Sequence, residues 1–231
     1  MQPASYPLAA RPAAVIFDFD DTLANSLPSR MTALRECLSE HVGREVSSDE
    51  ALSVLRSAPF IDDQLRWFVR DHAEVPRLVQ AYRHHYYHPE RPPLEPFRGI
   101  REILAALQRQ DTPLALVTSR YRAGSGGNPQ WSVLHELERM GLAGVFRTII
   151  GFEDTNNHKP SPEPFLVCCS QLGVAPGRVV AVGDNAFDMQ GARAAGAVSA
   201  AALWGAADPE ALMAAGPDVV LQAPHELLAY V

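Results

Sequence analysis

Six short apolar, β-branched runs, separated by stretches of helical character, set the tightest limit on how this chain can fold. They lie at 14–17, 114–117, 148–151, 179–182, 198–202 and 219–221. Runs that stay apolar without alternating belong to strands covered on both faces, and the helices between them supply the covers. The spacing predicts helices over 100–109, 129–140, 162–172, 188–195 and 209–215. Gly141, Gly173 and Gly196 stand where helix C-caps would fall. The predicted class is α/β, with a Rossmann-like parallel sheet as its core.

One segment breaks the alternation. Between Ala24 and Pro96 there are amphipathic helical patterns at 29–41, 48–56, 61–71 and 76–87 and no convincing strand. A helical block inserted directly after the first strand is expected to be a separate α-helical cap domain. Pro89, Pro92, Pro93 and Pro96 would make a stiff return linker. The expected organisation is a frayed tail over 1–13, an α/β core from 14–23 and 97–231, and a cap over 24–96. The run RAGSGGNP at 122–129 is expected to be a mobile loop.

Bulk composition excludes several function classes. With 231 residues, 47% of them hydrophobic and 20% charged, the chain can bury a sizeable core. A formal charge of -7 argues against a nucleic-acid or anionic-membrane partner, either of which wants a basic face. Cys37, Cys168 and Cys169 form neither a disulfide framework nor a CxxC pair, which fits a reducing, cytoplasmic home. The start, MQPASYPLAARPAA, lacks the apolar stretch of a signal peptide, and no run approaches the roughly 18 residues of a membrane span. Nineteen arginines accompany a single lysine, Lys159.

The chemistry concentrates at strand ends. Val15-Ile16-Phe17 runs into Asp18, Asp20, Asp21 and Thr22. Carboxylates two apart on an extended chain project to one side, and the C-terminal ends of parallel strands face the usual ligand crevice. One Asp there is an ordinary turn residue. Three repel one another unless a hard divalent cation joins them. A second acidic site, Gly183-Asp184-Asn185-Ala186-Phe187-Asp188, follows another strand, where an Asp can equally serve as a helix N-cap. Thr118 and Ser119 end a strand with hydroxyls that suit phosphoryl oxygens, although Ser and Thr are common in turns. Lys159 precedes a proline and a helix. A lysine there is ordinarily solvated surface, but in a chain that otherwise writes arginine a lone lysine points toward a place where a compact ammonium and a planar guanidinium are not interchangeable.

In order, DxDxT (Asp18, Asp20, Thr22), Thr118, Lys159 and GDxxxD (Gly183, Asp184, Asp188) resemble the motifs of the haloacid dehalogenase superfamily. The helical insert and the ending Trp204-Gly205, Asp218-Val219-Val220 and Glu226-Leu227 resemble its phosphoglycolate phosphatase-like branch. The resemblance implies a phosphatase acting on a small phosphorylated metabolite. Asp18 would be the nucleophile that becomes a phosphoaspartate, and Asp20 the general acid and base. Asp18, the Asp20 carbonyl and Asp184 would hold Mg²⁺, supported by Asp188 and Thr22. Thr118, Ser119 and Lys159 would bind phosphate.

Departures from the branch touch the substrate rather than the catalytic set. Asp21 stands where many relatives have glycine, Asn25 where aspartate is frequent, and Asn185 where threonine is usual. Ser57-Ala58-Pro59 resembles a substrate-loop segment that commonly opens with glycine.

The resemblance also orders the alternatives. A carbon–halogen displacement has no need of Asp20, and a Schiff-base phosphonatase needs a cap lysine that is missing between Ala24 and Pro96. A sugar-phosphate mutase of the β-phosphoglucomutase type keeps the same core, but Arg30 falls near the position of its cap histidine. Inorganic pyrophosphate remains a possible substrate. A receiver domain fails on size and on aspartate spacing, and a phosphate-binding regulatory protein would be expected to lack one of the acids. The sequence does not choose between monomer and homodimer.

Overall fold

The structure, a computed structural model, describes residues 11–58 and 60–231. Most of the tail expected over 1–13, and Pro59 of the Ser57-Ala58-Pro59 segment, lie outside the described residues. The chain divides into two compact units. Residues 26–93 form one, and the described residues on either side of them form the other.

The larger unit contains six strands, all parallel. They are β1 (Ala14–Phe17), β2 (Leu114–Val117), β3 (Thr148–Ile150), β4 (Val179–Gly183), β5 (Val198–Ala202) and β6 (Val219–Leu221). Their order is β3-β2-β1-β4-β5-β6, so β1 lies between β2 and β4 at the point where the winding reverses. Each expected strand is present to within one residue. The smaller unit holds α1 (Leu27–Val42), α2 (Ser48–Arg56), α3 (Ile61–Phe68) and α4 (Val75–Tyr86). Returning to the sheet, the chain forms α5 (Ile100–Arg109), α6 (Val133–Arg139), α7 (Glu163–Leu172), α8 (Ala186–Ala194) and α9 (Pro209–Ala214).

Period-two geometry explains the two cores of the α/β unit. Val15 and Phe17 face one side, packing with Ile100, Ile103 and Leu107 of α5 and Leu137 of α6. Ala14 and Ile16 face the other, with Phe165, Cys168 and Leu172 of α7 and Ala192 of α8. Burial pushes the Cys168 and Cys169 thiols up, so both pack as small inert apolar groups.

The helical unit has its own core, built from Leu34 and Leu38 of α1, Val54 of α2, Leu65 of α3, and Leu78, Val79 and Tyr86 of α4. Two helix ends depart from the sequence expectation by three residues or more, and in each case a local cap decides. Helix α3 stops at Phe68 because Val69 is extended and Asp71 starts a short turn, its carboxylate accepting from the Ala73 amide at 3.0 Å. Helix α6 begins at Val133, not at 129, because Ser132 caps it, accepting from the His135 amide at 3.1 Å. The loop expected to be mobile is tied at its start, where Arg122 pairs with Asp154 at 2.9 Å and the Arg122 and Ala123 amides donate to Glu153.

Candidate active site

Three loops meet at the C-terminal edge of the sheet. The register pairs Phe17 with Val182 and with Leu116, so Asp18, Thr118 and Asp184 leave the sheet at neighbouring strand ends. The Asp18 amide donates to the Val182 carbonyl at 2.9 Å, extending the ladder one residue past β1. Among the described residues, ligand oxygens of Asp18, Asp184 and Asp188 lie within 4.8 Å of one another. Three carboxylate oxygens make a hard donor set of the type that fits Mg²⁺.

Lys159 is buried between two of these acids. Its Nζ lies 2.7 Å from Asp18 Oδ1 and 2.6 Å from Asp188 Oδ1. Asp188 has a second task, since its Oδ2 accepts from the Asn185 amide at 3.2 Å, while the Asn185 side chain accepts from Phe187 at 3.1 Å. The N-cap of α8 is thus Asn185 rather than an aspartate, and Asp188 completes the capping box from the first turn while its other oxygen meets Lys159. Gly183 is required here, because a Cβ on it would meet Asp188 at 2.4 Å. Thr22 Oγ1 donates to Asp184 Oδ1 at 2.8 Å.

The Asp20 side chain is not one of the three clustered acids, although its charge reaches Asp18. The guanidinium of Arg120 grips it from two sides, Nε to Oδ2 at 2.6 Å and Nη2 to Oδ1 at 2.5 Å. Thr118 is buried, and its Oγ1 accepts from the Arg120 amide at 3.1 Å. Ser119 is half-buried beside it. Asp21 has φ 56, the left-handed region that favours glycine and that Asp tolerates better than most residues. Trp204 Nε1 donates to the Thr22 carbonyl at 2.9 Å, and a Cβ at Gly205 would meet the Asp21 carbonyl oxygen at 1.5 Å. That pair of residues therefore presses the acidic turn into shape.

The family model for haloacid dehalogenase-like hydrolases matches residues 15–202, which takes in every residue of this site except Trp204 and Gly205. The chain belongs to that family. Three curated relatives are similar along nearly the whole chain. A pyrophosphatase from Bacillus pumilus is 29% identical, covering 94% of this chain and 95% of its own. A phosphoglycolate phosphatase from Escherichia coli is 29% identical, covering 93% and 90%. An N-acetylmuramic acid 6-phosphate phosphatase from Pseudomonas aeruginosa is 30% identical, covering 93% and 92%.

Electrostatics give this haloacid dehalogenase-like hydrolase a crowded, cation-seeking centre. Burial, opposed by Lys159 and reinforced by Asp188 and Asp20, pushes Asp18 up to about 7. Burial also holds Asp184 well above the carboxylate range, with Asp18, Asp21 and Asp188 adding to the effect. Burial by itself would lower Lys159, yet the Asp18 and Asp188 carboxylates outweigh it and keep the ammonium above its ordinary range. A divalent cation would relieve the repulsion that remains. No helix of the described residues is long and apolar enough to cross a membrane.

Three residues around this centre carry no distinguishing mark of charge or periodicity in the sequence. Arg120 was indistinguishable from eighteen other arginines. Its only signal was a cation two residues after a strand-end Thr, opposite an acidic turn. Trp204 and Gly205 stood out only through the family resemblance, with no physical reason attached.

Proposed function

We propose that this hydrolase is a Mg²⁺-dependent phosphatase that cleaves a small phosphate monoester through a phosphoaspartate on Asp18. The observation that carries the reading is an Asp18 side chain only 11% exposed, held by Lys159 at 2.7 Å inside a cluster of acids able to hold a metal. The Asp18 carboxylate attacks phosphorus, the bond to the leaving oxygen breaks, and the Asp20 carboxyl gives that oxygen its proton. Water then attacks the phosphoaspartate, surrendering a proton to Asp20, and inorganic phosphate leaves with Asp18 restored. Thr118, Ser119 and Lys159 take the phosphoryl oxygens, where charge accumulates. Asp18, the Asp20 carbonyl and Asp184 would hold Mg²⁺, with Thr22 and Asp188 in support, and the ion would neutralise charge on the transferring group.

A small phosphorylated metabolite is the expected partner, in a cytoplasmic setting. Three relatives of nearly equal identity are named for three substrates, so the panel that tests the proposal contains phosphoglycolate, N-acetylmuramic acid 6-phosphate and pyrophosphate. The similarity to the Bacillus pumilus enzyme favours pyrophosphate as the second reading. Release of inorganic phosphate from purified protein, with and without Mg²⁺, decides among them. No release from any of these or from p-nitrophenyl phosphate would remove the phosphatase assignment.

Lys159→Arg is expected to lower turnover by about 10² to 10³, nearly as much as Lys159→Ala. The ammonium fits between two carboxylate oxygens at 2.7 and 2.6 Å with its side chain 5% exposed, and a guanidinium is wider and planar. Lys159→Ala should also melt lower in the absence of divalent cations, because it leaves two acids without their shared cation. Turnover of Lys159→Arg within a few-fold of wild type would show that only charge matters there.

The helical unit we read as a cap that sets substrate choice, from its insertion directly after the nucleophile. Its segment after α2 is braced by Gln64, whose Nε2 donates to the Leu55 and Ala58 carbonyls at 3.0 and 2.7 Å. Phe60→Ala is expected to change the ratio of kcat/KM between two phosphate esters by about tenfold, with the Mg²⁺ requirement unaltered. The same substrate ranking across changes at Ser57, Ala58 and Phe60 would move the specificity determinant elsewhere.

A further inference from the structure

Arg120 contributes more to the site than neutralisation. A planar fork on a carboxylate defines the orientation of that carboxylate as well as its charge, because two parallel contacts fix the plane. The Asp20 side chain is 22% exposed and short, and without such a grip it would turn among rotamers at the end of a loop. Arg120 is itself held firmly. Its amide donates to Thr118 Oγ1, its carbonyl accepts from the Phe152 amide at 2.8 Å, and its guanidinium lies 5.2 Å from the centre of the buried Phe19 ring. The end of β2 thereby orients a side chain at the end of β1.

We propose that Arg120 is the positioning residue for Asp20, fixing the orientation from which Asp20 exchanges its proton with the leaving oxygen and then with water. This inference rests on Asp20 being the general acid and base. While one carboxyl oxygen turns to the substrate, the second arm of the fork keeps the group aligned. Lysine, with a single point of contact, would do so only in part.

The test separates proton donation from binding and from folding. Steady-state constants are measured on p-nitrophenyl phosphate, whose leaving group departs with little help from a proton. They are also measured on phosphoglycolate or N-acetylmuramic acid 6-phosphate, alkyl esters that need it. Arg120→Met should lower kcat on the alkyl ester by about 10² and on p-nitrophenyl phosphate by less than about tenfold, with KM little changed. Arg120→Lys should recover part of the loss. Arg120→Met combined with Asp20→Asn should be no worse than Asp20→Asn alone, as expected of two residues acting as one unit. Equal losses on both esters, or a raised KM at unchanged kcat, would overturn the assignment in favour of a structural or a substrate-binding role. Melting curves identify a variant that has lost its fold, in which case Arg120→Lys carries the comparison. If Asp20→Asn shows no dependence on the leaving group, the acid–base reading of Asp20 fails first. If Asp20→Asn shows it and Arg120→Met does not, the positioning role alone fails.

Discussion

Asp18→Asn is expected to abolish hydrolysis, by about 10⁴-fold or more, in a protein that melts close to wild type. The amide matches the carboxylate in shape but offers phosphorus no usable nucleophile. The fold should tolerate the change because an amide oxygen can still accept from Lys159, and because Lys159 keeps Asp188 at 2.6 Å as its charged partner. The substitution also removes a charge that burial and two neighbouring acids already disfavour. Phosphate release from the alkyl ester measures the loss, and a beryllofluoride adduct on Asp18 of the wild-type protein tests the covalent step directly. Retention of even a tenth of normal turnover in Asp18→Asn would require another nucleophile.

Removing divalent cations is expected to have the next largest effect, lowering turnover to background, with Mg²⁺ restoring it. Ca²⁺ should restore little, since its looser coordination leaves the nucleophile poorly placed. The same crowding predicts an effect on stability. Asp18 is held up to about 7 in the folded protein without a cation, above its ordinary value of 3.8. Between about 4 and 7 the folded state therefore keeps a proton that the unfolded chain releases, and stability falls as pH rises through that window. Binding of a cation to the ionised acids reverses this loss. At a hundred times its dissociation constant such a ligand adds about 2.7 kcal/mol. The Mg²⁺-induced rise in Tm should accordingly be larger near pH 8 than near pH 5. A melting temperature indifferent to Mg²⁺ at both pH values, together with full turnover in excess chelator, would remove the metal from the proposal.

The sequence by itself determined the α/β class, the six strands, the helical insert and the strand-end loops where the acids gather. These depend on patterns that survive in one dimension. Uninterrupted apolar runs mark strands covered on both faces, and acids crowded after such a run have few structural uses. A composition of nineteen arginines and one lysine singles out Lys159. Helix ends were less legible, since Ser132 and Asp71 decide them through single hydrogen bonds that compete with the periodic signal. The pairings across the site belong to the tertiary structure alone. Arg120 meets Asp20 from 100 positions away, and Thr22 meets Asp184 from 162. Trp204 closes on Thr22 from 182 positions away, and the closeness of the Gly205 backbone to Asp21 leaves no room for a side chain. Strand order brings these loops together, and neither charge nor periodicity along the chain encodes which arginine will face which acid. Only the packed sheet, with β1 between β2 and β4, makes that choice.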